Sequence, residues 1–315
     1  MPLNWLYSSG TQADAILSLG RGFIGISLAV VAIIGIALLI AIFRVRAPQP
    51  LDPEGRQPLD SRGNGAAFVY VGVGISTLVL IASAAWAMST LNRVAREPAD
   101  GPLTIEIAAH QWWWEVRYLN AVASRIFITA NEMHIPVGEP VRLRFVSADV
   151  IHSFWVPALA GKMDIIPGRT NATWLDAKQP GTYFGECSEF CGLQHAHMVF
   201  RVIADPPSAF QAWWNAQLKT APTTPGSDEH GRELFLRSCG ACHTVRGTEA
   251  GGIYGPDLTH LMSRGMIAAS LPNTPDRLAA WIADPQALKP GTLMPKVELS
   301  DADLRVVTSF VETLR

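Results

Sequence analysis

Residues 187–198 read Cys187-Ser188-Glu189-Phe190-Cys191-Gly192-Leu193-Gln194-His195-Ala196-His197-Met198. Two thiols, two imidazoles and a thioether within a dozen residues are the soft and borderline donors that suit copper. A mononuclear blue-copper site takes two histidines, one cysteine and a weak methionine. Here a second cysteine is surplus, and two thiolates can bridge two metal ions. A further imidazole must come from another segment, and His152 in VIHSFWVP (150–157) is the candidate. His197 would share the face of His195 in an extended segment, so spacing alone leaves either free to be the ligand. Zinc would be content with Cys and His and would leave Met198 unexplained. Around this loop, the interval from Leu103 to Ala204 carries the short β-type runs LTIEIAAHQWWWEVRY, SRIFITA, PVRLRFVSADV and GTYFGECSEF, broken by Pro and Gly. They predict an antiparallel β-sandwich or barrel over 99–204. Three consecutive indoles, Trp112 to Trp114, are unusual in a strand, because alternation exposes at least one unless both faces are covered.

Toward the N-terminus, Phe23 to Phe43 and Ala66 to Met88 contain no Asp, Glu, Lys or Arg. Each reaches the roughly 20 residues that span a bilayer, which predicts a transmembrane hairpin within 1–98. The loop between them carries Arg44, Arg46, Arg56 and Arg62, against Arg21 alone before the first span. The positive-inside rule therefore puts the loop in the cytoplasm and both termini outside. The 49% hydrophobic content agrees with a chain partly in lipid. A formal charge of −2 offers no basic footprint for nucleic acid.

Toward the C-terminus, SAFQAWWNAQLK (208–219) reads as a short amphipathic helix, and KTAPTTPGSD (219–228) as a linker with a reach of roughly 17 Å. Residues 205–227 thus separate the β-domain from a small all-α domain over 228–315, with helices expected in EHGRELFLRS, TPDRLAAWIAD and SDADLRVVTSFVETLR. Cys239-Gly-Ala-Cys242-His243 is the C-x-x-C-H signature of covalent c-type haem, with two thioether cysteines and an axial histidine. A thioredoxin-type motif would want a βαβ frame, which this stretch does not show.

His152-Ser-Phe-Trp-Val-Pro followed by C-S-E-F-C-G-x-x-H-x-x-M resembles the copper A domain of cytochrome c oxidase subunit II, and the fused C-terminal domain resembles a class I cytochrome c, as in the caa-type branch. The resemblance implies a cupredoxin-like domain in which Cys187 and Cys191 bridge two coppers, His152 and His195 are terminal ligands, Met198 is a weak axial ligand and Glu189 binds through its carbonyl. It also implies a magnesium ion near the Glu189 side chain at the boundary with subunit I, and Trp112 as the point where electrons enter. In the haem domain it implies Met294 in KPGTLMP as the distal ligand, with Met262 and Met266 as competitors, and the Pro256 carbonyl orienting His243. His110 and His134 are expected to be structural, and His260 to lie at the surface or on the propionate side. The implied activity is electron transfer from haem c to copper A and on to subunit I of a haem-copper oxidase in the bacterial plasma membrane. Other oxidase subunits and an upstream cytochrome or quinol:cytochrome c reductase would be partners, and the soluble domains would face the periplasm or exterior. A copper A-containing nitric oxide reductase subunit is the alternative, and a copper-delivery protein a rival of another class. One departure stands out. Where many members carry a proton-path glutamate in the second span, this chain has Phe68.

Overall fold

The computed structural model describes residues 6–44, 53, 65–97, 103–221 and 229–315. They fall into two compact units, Ala15–Arg96 on one hand and Met1–Asp14 with Glu97–Arg315 on the other. Arg46, Arg56 and Arg62 lie outside the described residues, as does most of the expected linker.

The first unit is a pair of helices, α1 (Thr11–Phe43) and α2 (Gly65–Ala95). Both outrun the spans expected from composition, since a helix of 33 or 31 residues rises about 50 or 46 Å, against roughly 30 Å of hydrocarbon. Within the unit their apolar side chains are exposed nearly throughout, a surface that lipid satisfies and water does not. Gly22 permits the helices to touch. A Cβ there would overlap the Trp86 ring, and Phe23 meets the same indole edge-on at 6.3 Å between centroids. No acidic residue lies in α2, and Phe68 is exposed on it.

The β-domain holds β1 (Leu103–His110), β2 (Trp113–Leu119), β3 (Phe127–Ala130), β4 (Glu132–Pro136), β5 (Val141–Ser147), β6 (His152–Trp155), β7 (Met163–Ile165), β8 (Asn171–Leu175), β9 (Gly181–Cys187) and β10 (Val199–Asp205). They form two five-stranded sheets, in the orders β3-β2-β1-β5-β8 and β4-β10-β9-β6-β7. Strict alternation on β1 sends Leu103, Ile105, Ile107 and Ala109 inward, where they meet Met133, Tyr183 and Phe200 from the other sheet. The purely antiparallel expectation needs correction, for β1 pairs with β5, and β4 with β10, in parallel. These partners are not consecutive in sequence, and the crossovers that join them reverse the direction a hairpin would impose. The run LTIEIAAHQWWWEVRY is likewise two strands: His110 pairs with Trp113 across a turn at Gln111 and Trp112. Trp112 therefore stands outside the strand alternation, while Trp114 is fully buried.

Helix α3 (Pro207–Gln217) closes the end of the sandwich. Trp213 and Trp214 lie 5.2 and 5.4 Å from the Tyr118 ring, and His134 stacks on Trp213 while bonding Asp205. The chain does not become free at Lys219. Ala221 is buried in the C-terminal core, and the Lys219 carbonyl lies 3.0 Å from His260 Nε2.

The C-terminal domain comprises α4 (Glu229–Ser238), a two-residue ladder of β11 (Met266–Ile267) with β12 (Leu271–Pro272), and helices α5 (Pro275–Ala283), α6 (Pro285–Leu288) and α7 (Asp301–Glu312). Thr274 and Ser300 cap α5 and α7 by accepting from Arg277 N and Asp303 N. Gly231 lets α4 cross α7, since a Cβ there would meet Phe310 Cβ and Val306 O at 2.9 Å.

Residues 9–14, which belong to the same compact unit as the β-domain, are fastened to it. Thr11 N and Oγ1 both donate to the Asp176 carboxylate at 2.7 Å, placing an anion at a helix N-terminus where the dipole favours it. Ser9 N donates to Ala158 O and Lys178 N to Ser9 O. Asp176→Ala removes the cap and costs about 0.5–2 kcal/mol locally. Amide exchange over residues 8–14 should then quicken roughly two- to thirtyfold, whereas unchanged exchange would show that the cap does not hold this segment.

Candidate functional site

Strands β6 and β9 are neighbours, with Phe154 opposite Cys187, so His152 and Cys187 face each other at one end of the sheet. Their Nδ1 and Sγ atoms lie 3.9 Å apart. The loop that follows doubles back, with Cys187 N on Met198 O and Ser188 N on Ser153 O. This brings Cys191 Sγ to 3.8 Å from Cys187 Sγ, 3.5 Å from His195 Nδ1 and 3.8 Å from Met198 Sδ, while Glu189 O lies 3.2 Å from Cys187 Sγ. All six donors named from the sequence converge. Residues 195–197 form a single 3₁₀ turn rather than an extended segment, and in that geometry residues i and i+3 align. His195 and Met198 thus face inward together. His197 is exposed, with Nδ1 held by Gln194 Oε1 at 2.6 Å.

Asp149, which the sequence reading passed over, sets the orientation of His152. Its carboxylate takes His152 Nε2 at 2.7 Å, Gln111 N at 2.6 Å and Val150 N at 2.7 Å. Burial works against the Asp149 charge, yet the bonds from His152, Val150 and Gln111 prevail and hold it below the usual carboxylate range. Held through Nε2, the ring presents Nδ1 to the sulfurs, as outer partners commonly do for metal-binding histidines. In the thiol pair, the bond with Cys191 draws Cys187 down against desolvation, with His152 assisting. The Glu189 carboxylate is half-buried and has no ion pair among the described residues. Trp112 donates from Nε1 to Cys191 O at 2.9 Å, and Gln111 Nε2 donates to the same carbonyl at 2.7 Å.

Beside this cluster lies a cavity of about 380 Å³, walled by Phe235, Leu278, Trp281, Ile282 and Val307 and by Trp112 and Trp113 of the β-domain. Cys239, Cys242, His243 and Met294 all line it. Cys239 and Cys242 fall one turn apart, with His243 N bonded to Cys239 O. Pro256 O lies 2.9 Å from His243 Nδ1, leaving Nε2 as the free ring nitrogen, and burial lowers the pKa of that imidazole. Gly255 makes room for the ring, since a Cβ would come within 2.5 Å of it. Arg264 also lines the cavity; it is buried, and its Nε has no partner. A largely apolar slot with two thiols, a free imidazole nitrogen and an unpaired guanidinium nitrogen fits a flat macrocycle bearing carboxylates. Gln286 Nε2 steadies the far loop through the Thr292 and Met294 carbonyls. Of the competitors, Met266 lines the cavity and Met262 sits against the core instead. His260 is buried, not at the surface, with its ring nitrogens at 2.9 and 3.0 Å from the Arg315 and Lys219 carbonyls.

Residues 119–204 match the family described as the periplasmic domain of cytochrome c oxidase subunit II, and residues 229–315 match cytochrome c. The chain is 34% identical over 300 residues to cytochrome c oxidase subunit 2 of Alkalihalophilus pseudofirmus, covering 92% of this chain and 85% of that one. To the protein of the same description from Bacillus sp. strain PS3 it is 32% identical, covering 68% of this chain and 62% of the other. A crystal structure of the periplasmic domain of subunit II of cytochrome oxidase from Bradyrhizobium japonicum shares 33% identity and covers 38% of this chain and 94% of its own, with a TM-score of 0.35.

The cavity wall makes one direct prediction. Gly255→Val forces the His243 ring aside, and overpacking of that kind costs about 1–3 kcal/mol. Earlier melting of the C-terminal domain in calorimetry is the expected result. An unchanged transition would contradict the close contact.

Proposed function

The chain belongs to the cytochrome c oxidase subunit II family, and from that premise we propose that its two clusters are a dinuclear copper A centre and a covalent haem c site. It is subunit II of a haem-copper oxidase with a fused cytochrome c domain, and its role is electron transfer within a complex that includes subunit I. The nitric oxide reductase alternative is not favoured by these relatives. The chain is a membrane protein with an extracellular domain.

In the proposed assignment Cys187, Cys191, His152 and His195 through Nδ1, Met198 and the Glu189 carbonyl would hold the two copper ions. What supports it above all is the donor chemistry, with two sulfurs 3.8 Å apart at the centre of the set. Cys239 and Cys242 would attach the haem, His243 through Nε2 and Met294 would hold its iron, and the Pro256 carbonyl fixes the imidazole. Copper and haem, when bound, supply one-electron carriers. The protein residues hold, orient and dry them: Asp149 aims His152, the sandwich core seals the sulfurs, and Trp112 stands between cluster and cavity with its indole bonded to Cys191 O. Trp112 is 7% exposed, so we read it as an internal contact between the domains rather than a surface where a diffusing donor would reach the copper. Electrons would enter through the haem domain, from an upstream cytochrome or a quinol:cytochrome c reductase. The Glu189 carboxylate would face magnesium only once subunit I completes the site. Both spans cross the bacterial plasma membrane in this reading, with termini and soluble domains on the periplasmic or outer side.

Cys191→Ser should leave at most one copper per chain and abolish mixed-valence character in the EPR spectrum, while the haem bands stay normal. Two coppers with an unaltered spectrum would refute the bridging assignment. Ending the chain after Lys219 should spare the copper centre and its reduction by small chemical donors, yet slow oxidation of the physiological donor severely. Full-rate oxidation by that truncated complex would take the haem domain off the electron path.

A further inference from the structure

Two charged side chains cross between the β-domain and the haem domain, in opposite directions. Glu132 on β4 is 3% exposed, and both its carboxylate oxygens accept from Gly265 N at 3.0 Å. Arg201, its neighbour across the β4–β10 ladder, approaches the same carboxylate at 3.4 Å. From the other side comes Lys289, also 3% exposed. Its Nζ donates to Trp112 O and Ala268 O at 2.7 Å and to His197 O at 3.4 Å. Among the described residues it forms no ion pair. Alongside, Gln194 Nε2 donates to Pro290 O at 2.7 Å, and Gly291 brings its backbone so near Leu193 and Trp112 that a Cβ would lie 3.2 and 3.5 Å from them.

We propose that Glu132 and Lys289 form a reciprocal clamp that docks the haem domain in one register on the Trp112 face of the copper domain. Its electron-transfer consequence rests on the functional reading above, but the docking itself does not. The two anchors do different things. A carboxylate accepting backbone N–H bonds makes a charge-assisted contact about twice as strong as a neutral one, and losing it would leave Arg201 without its partner, so Glu132 supplies holding strength. A buried ammonium is a poor source of net stability, because desolvation offsets most of what it gains. In this register its Nζ meets two carbonyls of the β-domain, Trp112 O and His197 O, besides Ala268 O of its own domain, and sliding the domain would take the first two away. Lys289 therefore selects the orientation. The clamp also explains why Trp112 is covered: the segment from Lys289 to Gly291 occupies the surface that a soluble donor would need.

The test is hydrogen exchange by mass spectrometry on the full-length chain in its oxidase complex, comparing the parent with Glu132→Gln and Lys289→Ala. Peptides covering 111–114 report the copper side, and those covering 264–268 and 289–294 the haem side. Both variants should quicken exchange about threefold or more on both sides, with copper content and haem absorption unchanged. Electron transfer from flash-reduced haem to copper scales with the docked fraction, so it should slow only as far as that fraction falls. If Lys289→Ala disorders its own loop, Glu132→Gln, which alters only the β-domain, decides. Exchange at 111–114 in Glu132→Gln that stays within threefold of the parent overturns the clamp. A variant whose exchange shows the domains mostly undocked while electron transfer keeps the parent rate overturns its place in the electron path. A chain without a c-type haem band would instead refute the functional reading, and the exchange result would still judge the docking.

Discussion

The turn at Gln111 and Trp112 is held from two sides, and the functional region is arranged around it. Asp149 grips its backbone through Gln111 N while holding His152 Nε2. Cys191 O accepts from both its side chains. One short turn thus ties together the segments bearing His152 and Cys191, and its Trp112 carbonyl receives Lys289 from the haem domain. Buried networks of this kind are costly when half satisfied and specifying when complete. Here the geometry of the sulfur cluster, one wall of the cavity and the contact between domains depend on the same two residues.

Much of this was legible in the sequence, for identifiable reasons. The spans are readable because lipid demands long uncharged runs, and α4, α5 and α7 because amphipathic spacing and Ser or Thr caps are local signals. The donors at 187–198 announce themselves because no structural role explains two cysteines, a histidine and a methionine at that spacing. What stayed hidden was set by long-range geometry. Parallel pairing of β1 with β5 is a matter of crossover, not of composition. The 3₁₀ turn that sets His195 and His197 apart is marked by no propensity, and spacing alone left both open. Asp149 lay three residues before His152, where an acid in a loop looks ordinary; only its three bonds reveal its work. Lys289 read as one more lysine beside a proline, and its burial appears only once two domains meet.

The covered Trp112 changes how the domain fusion works. A tether raises effective concentration and would suffice for weak docking. Here the first residues of the expected linker are already bound, with Ala221 in the haem-domain core and the Lys219 carbonyl at His260 Nε2. Docking and tethering therefore act together, which turns a second-order encounter into a standing contact. In the membrane unit, α2 carries no acidic residue and has Phe68 in its first turns.

The proposed function requires a single chain to hold a shared-electron copper pair and a c-type haem on either side of Trp112. Metal analysis of the purified full-length chain combined with EPR is the decisive measurement. Two coppers and one haem per chain, with a single unpaired electron delocalised over both copper nuclei, is the predicted result. One copper with a localised signal, or zinc in place of copper, would contradict it.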